Sequence, residues 1–325
     1  MRQRIYVMDR RCPLTLSRAI QYNNINMKIL ITGAAGMLGT DAMTIFAKNG
    51  FSTTGADLKP PDTSNIIALD ITDFESVRNA FGRYEPDIVL HCAAYTNVDG
   101  CERNPDDAFK INAFGTGCVA CAANEINAAL VYISTDFVFD GSKGGSYHEF
   151  DAPNPINTYG ASKLAGERQA LLHCSRSYVV RTSWLYGLNG SNFPYTIMKR
   201  AREFGQVAVV SDQVGTPTRT VDLVNSILDI ICCPLYGVYH ASSSGETSWF
   251  EFAKTILEYA GMENVEMEPI DSGECAKRFN TPTKRPPRSV MRNYMLESLG
   301  KDCMPDWKDS LKLFIAEAKS TGKIV

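Results

Sequence analysis

Lys28-Ile29-Leu30-Ile31-Thr32-Gly33-Ala34-Ala35-Gly36-Met37-Leu38-Gly39 is the stretch on which the fold turns. An unbroken apolar run stopped by glycine predicts a strand buried on both faces, as in a parallel sheet. Behind it, Met37 to about Lys48 reads as a helix closed by Asn49-Gly50. The glycines are spaced G-x-x-G-x-x-G, not in the G-x-G-x-x-G of the dinucleotide fingerprint. Glycine permits positive φ in the turn and lets the backbone approach a pyrophosphate. The helix that starts there offers unpaired N–H groups and the positive end of its dipole. Strand before and helix after make Gly33, Gly36, Met37, Leu38 and Gly39 a candidate dinucleotide cradle. The bland reading is a plain turn in a non-binding α/β protein.

Outward from this turn the alternation continues. Phe51–Asp57, Ile66–Leu69, Asp87–His91, Ala129–Ser134 and Tyr178–Arg181 read as further strands. Between them, Thr72 or Asp73 can cap one helix, Pro105 opens a long helix to about Asn124, and Ile156–Cys174 forms another. Strands alternating with helices predict an α/β Rossmann domain, a doubly wound parallel sheet spanning 27–184. Residues 185–218 and 242–325 carry prolines, among them Pro282, Pro286 and Pro287, and read as loops and short helices of a smaller C-terminal substrate lobe. The helix Val221–Ile231 and the strand Gly237–His240 return 219–241 to the Rossmann domain.

Composition narrows the function. At 325 residues, two domains are the natural expectation, and 44% hydrophobic residues suffice for their cores. A net charge of -3 argues against a nucleic-acid or membrane-surface protein in which electrostatics dominates. No apolar run reaches the length of a bilayer span. The ten cysteines are scattered, and Cys92, Cys118, Cys121, Cys232 and Cys233 lie in apolar stretches. Cys118-x-x-Cys121 has metal-like spacing but no second pair to complete a site, so buried thiols in a reducing cytoplasm are expected, with no metal. Residues 1–26 set Arg2, Arg4, Arg10, Arg11 and Arg18 against Asp9 and lack a secretory apolar region. Met27 reads as the natural start, or 1–26 as a mobile, dispensable tail; an organelle transit peptide is the sharper alternative.

Two acids follow the cradle. Asp57 ends the second strand about where an acid bonds the adenosine ribose, some 20 residues on. Its charge disfavours a 2′-phosphate, while Lys59 softens that preference. Asp70, followed by Ile71, can accept from adenine or serve as a turn or cap residue. Tyr159-Gly160-Ala161-Ser162-Lys163 puts a tyrosine and a lysine on one helix face. The ammonium is expected to lower the phenol pKa towards the working pH, so that Tyr159 can give a proton to a carbinol oxygen. Thr135 in Ser134-Thr135-Asp136 supplies a hydroxyl for the developing charge. Asn112 is expected to hold a water or a backbone group. A second Y-x-x-x-K, Tyr195–Lys199, lacks a preceding hydroxyl motif and reads as packing plus surface charge.

These residues resemble the extended short-chain dehydrogenase/reductase family, over essentially all of 27–325. The branch most similar, the dTDP-4-dehydrorhamnose reductases, is indicated by Ala93-Ala94-Tyr95-Thr96-Asn97-Val98-Asp99, Ser134 to Gly141, Arg181-Thr182-Ser183-Trp184-Leu185-Tyr186 and Asp212 to Thr218. The resemblance implies reduction of the C4 ketone of dTDP-4-dehydro-6-deoxy-L-mannose to dTDP-L-rhamnose by NADPH or NADH. It adds Ala93, Ala94, Tyr95 and Asn112 to the cofactor site. It implies substrate contacts at Thr96, Val98, Asp136, Trp184 and Asn192, with Arg219, Arg285 and Arg288 as phosphate partners by charge. It leaves a homodimer open; Mg2+, used by some members, finds no cluster here. Phe137 stands where tyrosine is usual, and Gly100 where some members carry lysine. A dehydratase or epimerase is the rival enzyme, but Phe137 denies it the second acid of an Asp-Glu pair. A rival of another class is a non-catalytic NADP-binding regulatory subunit, like the β subunit of methionine adenosyltransferase.

Overall fold

Strand β1 (Lys28–Thr32) opens the decisive stretch, and beyond Lys28 the whole strand is buried. Successive strand residues point to opposite faces. Ile29 and Ile31 accordingly join one core with Ala42 and Phe46 of helix α1 (Met37–Lys48), while Leu30 joins a second with Val77 and Phe81 of helix α2 (Phe74–Tyr84). The computed structural model describes residues 27–62, 65–233, 235–281 and 283–324. The N-terminal segment, and with it the reading of Met27 as a start, lies outside them, as does Pro282.

Six more strands complete the main sheet: β2 (Ser52–Asp57), β3 (Ile66–Ala68), β4 (Ile88–His91), β5 (Ala129–Thr135), β6 (Ser177–Thr182) and β7 (Gly237–His240). Their order is β7-β6-β5-β4-β1-β2-β3, every pairing parallel. This is the Rossmann doubly wound sheet. The winding reverses between β1 and β4, which opens a crevice at their C-terminal ends, where such sheets bind ligands. α1 and the helix Thr220–Ile230 cover one face; α2, α3 (Thr116–Glu125) and α4 (Thr158–His173) cover the other.

Local chemistry sets the helix ends. Asp73, not Thr72, caps α2 by accepting from the Ser76 amide, and Asn157 caps α4 through the Gly160 amide at 2.8 Å. The helix opened by Pro105 runs to Glu125, but Lys110–Gly115 widens into a π-helical turn. α4 packs hard against that turn: a Cβ at Gly166 would lie 2.3 Å from the Asn112 carbonyl oxygen.

The lobe departs from the loops and short helices expected of it. Helices Phe193–Phe204, Trp249–Ala260 and Trp307–Ser320 surround their own core of Tyr186, Ile197, Phe252 and Phe314. The helix Tyr294–Ser298, expected in the lobe, returns to the Rossmann core: Leu296 is fully buried there, with Met295 and Leu299 against it. Its apolar residues are what draw it back. Among the described residues no helix is long and apolar enough to cross a membrane.

Candidate active site

A cavity of about 740 Å³ opens at the crevice, walled by the ends of β1, β2, β4, β5 and β6. Its floor at one end is the glycine turn. Gly33 has φ +68°, and a Cβ there would lie 2.7 Å from the Ala93 nitrogen. A Cβ at Gly39 would lie 2.2 Å from the Gly33 carbonyl oxygen. Both positions exclude a side chain, so the backbone itself forms the wall. Gly33, Gly36, Met37, Leu38 and Gly39 all line the cavity, as do Asp57, Asp70, Ile71, Ala93, Ala94 and Tyr95. The Asp57 carboxylate accepts from the Ala35 amide at 3.0 Å and the Lys59 amide at 3.2 Å, tying β2 to the turn. Asp70 accepts from the Thr72 amide and hydroxyl, both at 2.8 Å, and keeps its other oxygen for the cavity. Asn112 is placed differently from its cofactor assignment. Fully buried, it accepts from the Tyr95 amide at 2.7 Å and donates to the Tyr95 carbonyl and Ser162 hydroxyl, both at 3.0 Å. It holds the Tyr95 loop and has no hydrogen-bonding capacity turned to a ligand.

At the inner end the cavity brings together Thr135, Asp136, Tyr159 and Lys163. Thr135 ends β5; Tyr159 and Lys163 share one face of α4. The Thr135 hydroxyl donates to Asp136 at 3.1 Å, and the Ser289 hydroxyl donates to the other oxygen of the same carboxyl. Burial pushes Asp136 up to about 7 against those hydrogen bonds. Lys163 donates to the Ile133 carbonyl at 2.6 Å and lies 4.2 Å over the Tyr132 ring. Desolvation brings it down to about 7. The expected lowering of the Tyr159 pKa is reversed. Surrounding protein desolvates the phenolate and raises the pKa well above its ordinary value, and the Thr135 hydrogen bond only partly opposes this. The Lys163 ammonium is turned to the strand carbonyl, which is why it does not offset the desolvation. The Phe137 ring meets Tyr159 edge-on at 5.8 Å.

Towards the lobe the wall is Thr96 and Trp184. Trp184 has φ +46° and stacks on Trp249, ring centroids 3.6 Å apart and 7° from parallel. Packing in the lobe and lining the cavity are therefore both true of it. Five other substrate assignments fall away from the cavity. Asn192 is consumed as a helix cap, accepting from the Tyr195 amide and donating to the Gly187 carbonyl at 2.6 Å. Val98 begins a short helix behind the lining loop. Arg219 is buried in an ion pair with Glu317, and Arg285 pairs with Asp99 at 3.0 Å. Arg288 likewise pairs with Glu246. Tyr195 donates to the Leu188 carbonyl and Lys199 reaches Glu203 on the surface, so the second tyrosine–lysine pair stands outside this cavity. Ser289 has no signal in the sequence, since it acts through Asp136, distant along the chain; Trp249 lies in Ser248-Trp249-Phe250, a stretch that shares the family resemblance, but its role behind Trp184 is not legible from spacing. Among the described residues no group of three or more His, Cys, Asp or Glu could hold a metal.

The RmlD substrate-binding domain family matches residues 27–320. The spore coat polysaccharide biosynthesis protein SpsK of Bacillus subtilis is 37% identical over 90% of this chain and 98% of its own length. Two solved dTDP-4-dehydrorhamnose reductases superpose with a TM-score of 0.84, each over 90% of this chain and all of theirs. One, from Clostridium acetobutylicum, is 41% identical; the other, from Bacillus anthracis in complex with NADP, is 40% identical.

Proposed function

Since the chain belongs to the RmlD substrate-binding domain family, we propose that it reduces the C4 ketone of dTDP-4-dehydro-6-deoxy-L-mannose to dTDP-L-rhamnose. It is an NAD(P)-dependent nucleotide-sugar reductase of polysaccharide biosynthesis. The observation that carries the reading is the meeting of the glycine turn with Thr135, Tyr159 and Lys163 in one cavity at the switch point.

NADPH or NADH fits the residues present, because the wall where a Cβ would intrude is bare backbone at Gly33 and Gly39. When bound, the reduced nicotinamide supplies the hydride that the ketone carbon accepts. The turn and the N-terminus of α1 would hold the pyrophosphate. Asp57 and Asp70 would meet the adenosine. Tyr159 gives its proton to the C4 oxygen; a phenol held above its ordinary pKa starts reliably protonated. Thr135 places a second hydroxyl beside that oxygen. Trp184, backed by Trp249, shields the sugar from water. Phe137, edge-on to Tyr159, offers no carboxyl for elimination, which disfavours a dehydratase.

Purified protein should oxidise NADH or NADPH only when the 3,5-epimerised dTDP-4-keto-6-deoxy sugar is present. No turnover with that sugar, together with specific capture of a partner protein, would select the regulatory-subunit reading instead.

A further inference from the structure

One turn along α4 from Lys163, on the same face, lies Glu167. It is 2% exposed, and its partner Arg181 on β6 is 3% exposed. The guanidinium donates to both carboxylate oxygens, at 2.8 Å and 2.7 Å. The Ser134 hydroxyl of β5 donates to the first of them at 2.5 Å. Ser134 and Arg181 are register partners across the sheet, and Arg181 is seated over the Phe139 ring at 5.2 Å. A single carboxylate thus joins the helix carrying Tyr159 and Lys163, the strand ending in Thr135, and the strand next to it.

Stability alone does not call for this arrangement. Buried ion pairs are often replaced by apolar residues at no cost or with a gain. The groups facing Lys163 suggest another purpose. Cys92, beyond β4, is pushed up to about 12, and Cys101, on the helix after it, up to about 11, so both thiols are neutral. His91 of β4 is pushed down to about 3, and the Tyr132 phenol of β5 is raised by burial, so neither carries charge. Asp136 and Tyr159 share the inner end of the cavity with Lys163, and burial raises both towards the neutral form, Asp136 to about 7. Glu167 is the carboxylate that acts on the ammonium, with Arg181 as the counter-charge behind it.

We propose that Glu167 is a positioning residue that keeps Lys163 charged inside the cofactor cavity and, through Arg181 and Ser134, holds the end of β5 against α4. The proposal rests on the reductase reading for the use made of Lys163, but its charge can be followed without the sugar substrate. NADH binding, measured by fluorescence titration between pH 6 and 9, is the readout. Glu167→Gln keeps the shape but leaves Arg181 buried without its charge partner. The double variant Glu167→Leu with Arg181→Met leaves neither charge and is expected to fold. In both, the alkaline loss of NADH affinity should move down by about one pH unit or more. At a pH above both midpoints, where the wild type is itself weakened, that is about tenfold weaker binding than wild type at the same pH. Glu167→Asp, which keeps the charge, should restore most of the wild-type profile. A folded double variant with the wild-type pH profile overturns the proposal, since a merely structural pair would change melting and leave the profile alone. If the wild type binds NADH but never turns over the keto sugar, the reductase reading fails while the binding profile still reports on Glu167.

Discussion

Tyr159 and Tyr195 give the same four-residue motif in two settings, and a pair of substitutions separates them. Tyr159→Phe should lower the rate with the keto sugar by about 10²–10⁴-fold, the range for a lost proton donor. Tyr195→Phe, which removes a bond to the Leu188 carbonyl, should leave turnover nearly unchanged. Equal losses in steady-state assays would sink the assignment. Asp57→Ala should shift the cofactor preference towards NADPH, because its carboxylate lines the cavity and the role proposed for it, bonding the adenosine ribose, sets its charge against a 2′-phosphate. The shift will come with weaker binding overall, since the same oxygens anchor the Ala35 and Lys59 amides. Comparing NADH and NADPH dissociation constants checks both parts. At this scale the sequence was readable where the chemistry is local: Tyr159, Lys163 and the glycines announce themselves by spacing. Asn112, read as holding a water or a backbone group, does clamp the Tyr95 backbone; only the cofactor contact implied by resemblance is missing. The sequence was not readable where a polar side chain is spent as Asn192 is, on the Tyr195 amide and the Gly187 carbonyl. The sign of the Tyr159 shift failed for a related reason, as desolvation depends on everything packed around the ring.

Two glycines in helices make opposite predictions about the elements they occupy. Gly39→Ala would drive a Cβ to 2.2 Å from backbone, so the turn and α1 must separate. NADH affinity should fall by at least about tenfold, and the melting temperature should drop with it. Gly82, exposed in α2, has nothing near its missing Cβ. Gly82→Ala should stabilise by about 0.4–1 kcal/mol in denaturant unfolding, by restricting the unfolded chain. The strands of the main sheet were legible to within a residue or two because a parallel sheet buried on both faces writes itself as short apolar runs; the parallel pair Gln206–Val210 and Glu266–Ile270 in the lobe was not. The helices of the lobe were not. Trp249–Ala260 mixes aromatic and charged residues, and its apolar face is defined by the helices Phe193–Phe204 and Trp307–Ser320 and by Val207 and Val209, all distant from it in sequence.

Whole-molecule stability has a pH signature at His240, which sits where β7 meets the Arg292 segment. Its Nδ1 bonds the Arg292 carbonyl at 3.1 Å and its ring meets Phe139 edge-on. Burial, aided by the Arg181 charge, pushes the imidazole from 6.5 down to about 3. A folded pKa below the unfolded value favours the neutral form, so its contribution is present above pH 6.5 and is lost as pH falls towards 3. Between those limits the wild type should lose about 1.4 kcal/mol per pH unit more than His240→Gln. Denaturant unfolding at pH 6.5 and 5 checks this; parallel pH dependences would refute it. The path of the chain has a further consequence. It leaves the Rossmann layer after Thr182, returns for the helix Thr220–Ile230 and β7, departs again, and comes back at Leu296 before its last long helix. A lobe assembled over separate visits cannot be inherited or transplanted as a cassette. Recombination at a single breakpoint in such a gene severs one core or the other. Changes confined to the loops around the cavity leave both cores intact, and those are the changes this chain path tolerates.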